Sequence, residues 1–238
     1  MSNLPKLGAS TTSGSKRTRR KDVQLLTPGY NLCRLYGIVD IGDQLNKKFG
    51  THSRKIKMLF EFPYLVQFYY EEDDAPRPAG IIEEFTLSFH QKSSLRPFIN
   101  NMVGRVMSDQ EFDNFNIFSL VDKYYVANVV HNPSKDGTKT HENINGISKY
   151  DPRFLDNSKE LKKYNPTTMY SIDEHGFFGE NWLNLKFFLK RMIKESKQGL
   201  AHIASGGTFE ERQYDANGNI IQNQAPQGQQ QPQQQGQV

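Results

Sequence analysis

The stretch "TLSFHQKSSLRPF" (86–98) gathers Ser88, His90, Lys92, Ser93, Ser94 and Arg96 into a few residues. Such a set could hold a nucleophile with its base, cradle a phosphate, or form a polar corner between a strand and a helix. A Ser–His or Ser–Lys nucleophile needs a base within hydrogen-bond reach, an orienting carboxylate and an oxyanion hole. No G-x-S-x-G elbow accompanies these residues. Ser88 and His90 fall on the outer parity of an alternating strand, where polar side chains are ordinarily solvated. Lys92 and Arg96 instead flank a helix start. The free N–H groups and dipole there favour an anion, so a single phosphate is the function this corner could take, against the slightly simpler reading of two cations hydrating a corner.

His131, Asp136, His141 and Glu142 are the nearest approach to a metal-ligand set. They flank a hairpin turn and lack both an H-x-x-x-H spacing and a carboxylate cluster, so hairpin polarity is the simpler reading. Cys33 is the single cysteine, which excludes an intramolecular disulfide and a cysteine-based zinc site. No metal, cofactor or catalytic residue is expected.

Cations interleaved with aromatics carry a stronger signal. Arg34 and Tyr36 share one parity of the first strand, and Lys55 and Lys57 share one parity of the next. If those strands pair, a basic, stackable face results, as single-stranded nucleic acid requires. Tyr124, with Tyr64, Tyr69, Tyr70 and Tyr125, adds stacking candidates, and Lys135 sits in the hairpin turn. A sheet face decorated with lysines for solubility remains the alternative.

The net charge of +4 is not evenly spread. Residues 1–21 carry Lys6, Lys16, Arg17, Arg19, Arg20 and Lys21 and no acid, leaving 24 basic against 26 acidic residues beyond them. The arm suits phosphate or another anionic surface, or serves solubility. No apolar run approaches the ~18–20 residues of a membrane span, and no apolar core follows the N-terminal cations as in a secretory signal.

These residues must be positioned by a mainly β body. "LCRLYGIVDIG" (32–42) reads as a strand with Cys33, Leu35, Val39 and Ile41 on one parity. "RKIKMLFEF" (54–62) alternates most clearly, with Ile56, Met58, Phe60 and Phe62 inward. "YLVQFYY" extends the sheet or forms a flap, and "EEDDAPRPAG" (71–80) is an acidic, Pro-rich loop. "IIEEFTLSFH" (81–90) is a third strand with Phe85, Leu87 and Phe89 inward. A short helix follows from Ser94 to Val103, with Pro97 in its first turn and Gly104 as its stop. Residues 108–123 form one or two short turns. "KYYVANVVHN" (123–132), the turn "PSKDG" and a shorter strand anchored by Ile144 and Ile147 make a hairpin. Residues 180–196 read as one amphipathic helix with Trp182, Leu185, Leu189, Met192 and Ile193 in a stripe.

The expected organisation is a disordered basic arm (1–27), an OB-like β-barrel (28–150), a wrapping segment with a C-terminal helix (151–198) and a disordered Gln-rich tail (199–238). The absence of βαβ units with a Gly-rich phosphate loop argues against a nucleotide-binding α/β fold.

The order of motifs resembles the phage-encoded single-stranded DNA-binding proteins with an OB-like barrel. The resemblance spans about residues 30–196: "YGIVDIG", "RKIKMLFEFP", "EEFTLSFHQKSSLRPFINNMVGR", "FDNFNIFSLVDK", "YYVANVVHNPSKDGTKTHENINGIS" and a helix ending "IKES". Met102-Val103-Gly104-Arg105 stands where the family tends to have Trp-Arg-Gly-Lys, and Asp122 where glycine is common. A Gln-rich end replaces the acidic tip of many such proteins. The resemblance implies non-catalytic single-stranded DNA binding in phage DNA replication or recombination, in the host-cell cytoplasm. DNA would be the partner; replication or recombination proteins and self-association stay open. The DNA contacts expected are Arg34, Tyr36, Lys55, Lys57, Lys92, Arg96, Tyr124, Lys135 and the arm residues Lys16, Arg17, Arg19, Arg20 and Lys21. The rivals are a virion assembly protein and, less well supported, a metal-dependent nuclease using His131, Asp136 and Glu142.

Overall fold

A computed structural model describes residues 23–71, 73–154 and 161–212. The clearest alternation in the sequence forms the longest pairing. β1 (Gly29–Asn46) and β2 (Thr51–Gln67) run antiparallel around a tight turn in which the Phe49 and Gly50 amides donate to the Asn46 carbonyl. β3 (Arg77–Thr86), β4 (Lys123–Pro133) and β5 (Thr140–Lys149) complete an antiparallel sheet in the order β3-β2-β1-β4-β5, and β6 (Thr168–Tyr170) pairs parallel to β1.

α1 (Leu95–Val103) lies between β3 and β4 in sequence and covers the inner face of the sheet. Its Leu95, Ile99 and Met102 are buried with Cys33, Leu35, Ile38, Met58, Phe60, Phe85 and Ala127. Phe98 meets Phe60 and Phe85 at ring separations of 6.3 and 4.7 Å, and the same helix packs on β5. One helix therefore touches both edge strands of the sheet, which curls around it. The edge strands β3 and β5 approach each other, bridged where the Ile144 amide donates to Glu83 Oε1 at 2.9 Å. No β3–β5 ladder forms, so the sheet is curled but not closed. Gly104 ends α1 in the left-handed region (φ 82°), as its position in the sequence predicts. α2 (Asp109–Asp113), with a capping box between Ser108 and Glu111, and a 3-10 turn (Ile117–Leu120) complete the inner layer.

The outer face of β1 and β2 is buried too. Tyr36, Val39, Ile41 and Leu59 pack against Tyr170, Ile172, Trp182, Leu185, Leu189 and Ile193. This second layer consists of β6, α3 (Ile172–His175), α4 (Gly179–Leu183), α5 (Phe187–Lys194) and α6 (Lys197–Ala204). The apolar stripe expected over 180–196 is there and packs internally, but the chain breaks at Asn184–Lys186 into two short helices. Trp182 Nε1 donates to the Glu210 carbonyl, drawing residues 207–212 back over the ring, with Phe209 stacked at 5.5 Å. Order thus continues past 199, where the sequence suggests a tail; the remainder of the tail lies outside the described residues.

β1 departs from simple alternation. A register shift between Leu35 and Gly37 turns Ile38 inward, with Leu35 and Cys33, and sends Val39 and Ile41 to the outer layer. The numerical parity of 33, 35, 39 and 41 therefore does not mark one face. Bulges exist to make this change of face. A second shift, between Asn128 and Val129, lets both Ile144 and Ile147 reach the inner core although they are three residues apart.

Candidate nucleic-acid interface

The strongest correction concerns Arg34. It lies on the outer face, as its parity predicts, but only 1% of it is exposed. Its Nε donates to Glu61 Oε1 at 2.6 Å, its Nη1 to Asp122 Oδ1 at 2.6 Å, and its Nη2 to the Asn165 carbonyl. Glu61, equally buried, also accepts from the Asn165 amide (2.8 Å) and side chain (2.7 Å). Burial opposes the charge on Arg34, but the bonds to Glu61 and Asp122 outweigh it and hold the guanidinium above its ordinary pKa. This cation clamps residues 164–165 to the sheet, and its burial puts it out of a phosphate's reach. Tyr36, 5% exposed, likewise belongs to the outer core, with its hydroxyl accepting from Lys186 Nζ at 2.9 Å.

Arg96 also turns inward. It donates to the Phe89 and Met107 carbonyls, pairs with Asp109 at 2.5 Å and lies 4.4 Å over the Phe112 ring. It braces the corner after β3 instead of presenting a phosphate site, and of the two cations there Lys92 is the exposed one. The Ser88–His90 pair is not set up as nucleophile and base: His90 Nδ1 accepts from the Lys92 amide at 3.2 Å. Cys33 is fully buried, and burial pushes its thiol far up. His131 and Glu142, opposite each other on β4 and β5, together hold the backbone of Leu26, through its carbonyl (2.8 Å) and amide (2.5 Å). Asp136 is occupied within its turn by Ser134 and Thr138. No group of three or more metal-ligating side chains occurs among the described residues.

Lys55 and Lys57 lie on the outer face of β2, as expected, and beyond the cover of the helices. Lys57 pairs with Glu84 at 2.8 Å, and Lys55 donates to Thr86 at 2.9 Å. Along this face the pairs Glu61–Gly80, Leu59–Ile82, Lys57–Glu84 and Lys55–Thr86 follow in register, a run of about 20 Å along β3. At its Gly80–Ile82 end is a groove of about 250 Å³, walled by Tyr69, Tyr70 and Arg77 on one side and by Tyr36, Asn165 and Lys186 on the other. The Arg77 guanidinium lies 5.3 and 5.7 Å from the rings of Tyr69 and Tyr70 and is held by Asp73 at 2.9 Å. Desolvation opposes the charge on Asp73, but the Tyr70 amide, then Arg77 and the Tyr69 amide, outweigh it and hold the carboxyl below its ordinary pKa. Gly80 leaves the floor free of a side chain, and Ile82 is exposed.

Arg77, Lys186, Gly80 and Ile82 are the residues sequence reasoning misses. Arg77 sits between two prolines in what reads as an acidic loop, and Lys186 in what reads as mid-helix. The signal available for Arg77 was its place before "IIEEF", where β3 already begins. Tyr124 is half-buried, its hydroxyl donating to the Leu161 carbonyl at 2.9 Å, and Lys135 is exposed at the tip of the β4–β5 hairpin. Lys16, Arg17, Arg19, Arg20 and Lys21 lie outside the described residues. No helix among the described residues is long and apolar enough to cross a membrane.

Comparison of the chain with protein-family models, with curated proteins and with solved structures returns no match.

Proposed function

We propose that the protein binds single-stranded DNA without catalysis, in phage DNA replication or recombination within the host cell. The observation that carries this reading is the open groove at the Gly80–Ile82 end of β3, lined by Tyr69, Tyr70 and Arg77, with Lys57 and Lys55 further along β2. Strand order supports it. A sheet ordered β3-β2-β1-β4-β5, with its helix between β3 and β4 and its outer strands brought together, fits an OB-like barrel whose last seam is open. Barrels of that kind use this face for oligonucleotides. Cations in the groove meet the backbone, and tyrosines offer a stacking surface indifferent to base identity.

A titration with fluorescent single-stranded and duplex oligonucleotides at two salt concentrations tests the proposal. Binding to the single strand that weakens steeply with salt is expected, and R77A should weaken it further. Failure of the single strand to bind at low salt sinks the reading. Stable association with particles in that case points to virion assembly instead.

A further inference from the structure

The connection from β2 to β3 is acidic in sequence ("EEDDAPRPAG"), yet its residues wall a groove read as the path of a polyanion. Asp73 resolves part of that conflict, because its charge is turned onto the protein. The carboxylate accepts from the Tyr69 amide at 2.8 Å, from the Tyr70 amide at 2.9 Å and twice from Arg77 Nη2 at 2.9 Å. Three of these four bonds end on Oδ2. A single oxygen therefore fixes the backbone beneath both tyrosines and the guanidinium that lies 5.3 and 5.7 Å from their rings.

The same wall is held from its other end. Arg77 stands between Pro76 and Pro78 and pairs with Gln67 in the β2–β3 ladder. A residue before proline is confined to extended backbone. The Tyr69 hydroxyl donates to the Pro78 carbonyl at 3.3 Å. Arg77 gives Asp73 only Nη2; Nε and Nη1 have no hydrogen-bond partner among the described residues, and the side chain is 53% exposed. The pairing aims the guanidinium without using it up. A loop already held in its binding geometry avoids the ordering cost that a free loop meets on binding.

We propose that Asp73 is the positioning residue of the groove, setting the Tyr69–Tyr70–Arg77 wall in place before a strand arrives. This rests on the single-strand reading of the groove and adds what prepares it.

The test compares the full chain with D73A, D73N and R77A, by titration with fluorescent oligothymidylate across a salt series and by amide hydrogen exchange on the free protein. D73A should lose at least ~5-fold in affinity, the loss of about one stack. D73N should recover most of it, since the amide oxygen can take the place of Oδ2. Its salt dependence should steepen by up to ~0.7 unit, because Arg77 is no longer neutralised. The Tyr69 and Tyr70 amides should exchange slowly in the parent and in D73N, and faster in D73A. A merely structural role would not separate D73N from D73A in both readouts. D73A binding like the parent while R77A binds more weakly would overturn the positioning role and leave the groove standing. Tighter binding by D73A would show that Asp73 competes with phosphate for Arg77, against the proposal. Equal losses in D73A and D73N would also overturn it. A parent that binds no single strand, or parent-like binding by both R77A and D73A, overturns the groove reading and this proposal together.

Discussion

Asp122 has a backbone φ of 67°, alone among described non-glycine residues in taking a positive value. Aspartate tolerates the left-handed region better than most residues, and here its carboxylate bridges Lys163 and Arg34, each at 2.6 Å. Replacing it tests both roles. D122N keeps the backbone tolerance and loses the charge; D122A loses both. Stability measured by urea unfolding at pH 7 should fall in the order parent, D122N, D122A, with the first step about 1–2 kcal/mol because solvent screens the half-exposed carboxylate. The Lys163 hydrogen bond, aided by Arg34 and opposed by desolvation, holds the Asp122 pKa below its ordinary value. Its contribution is therefore present above the unfolded pKa of ~3.9 and is lost as pH falls through the lower folded value. The gap between parent and D122N should close in acid. Arg34 itself was legible as an outer-face residue, but its burial was not. That depends on residues 161–167, more than a hundred positions away, which local spacing cannot report.

At the scale of elements, the seam between β3 and β5 is bridged by the bond from the Ile144 amide to Glu83. E83A should cost about 1 kcal/mol and speed hydrogen exchange at Ile144, whereas E83Q, which keeps an acceptor, should leave exchange near that of the parent. Slow exchange at Ile144 in E83A would mean that the seam is held by packing. The strands themselves were readable from alternation wherever one face is inner core, as at Ile56-Met58-Phe60-Phe62. So were α1 and its glycine stop. β1 was readable as a strand but not in its facing, because a single inserted residue near Tyr36 reverses parity without any mark in composition. The C-terminal stripe marked the residues that pack internally but not the break at residues 184–186, which apolar spacing does not report. The groove was half legible: Lys55 and Lys57 follow from alternation, but Arg77 and Lys186 meet across it only through the fold.

At the scale of the whole molecule, charge is divided between a nearly neutral body and a basic arm. If the six cations of residues 1–21 all meet phosphates, their deletion should flatten the plot of log affinity against log salt by up to ~4 units for a single strand. An unchanged slope in the deletion variant would reduce the arm to a solubility segment. Because the groove lies outside the arm, the truncated chain should still bind at low salt.

β1 is shared by both cores, contributing Cys33, Leu35 and Ile38 to one and Tyr36, Val39 and Ile41 to the other. Over residues 32–42, where it has no solvent side, the strand cannot release one layer while the other stays folded. The two layers should therefore melt as a single cooperative unit. The molecule carries its own pair of reporters for this: Trp182 in the outer layer and the thiol of Cys33 in the inner one. In a denaturant series, tryptophan emission and thiol labelling should share one midpoint, and two separate midpoints would show that β1 does not tie the layers together.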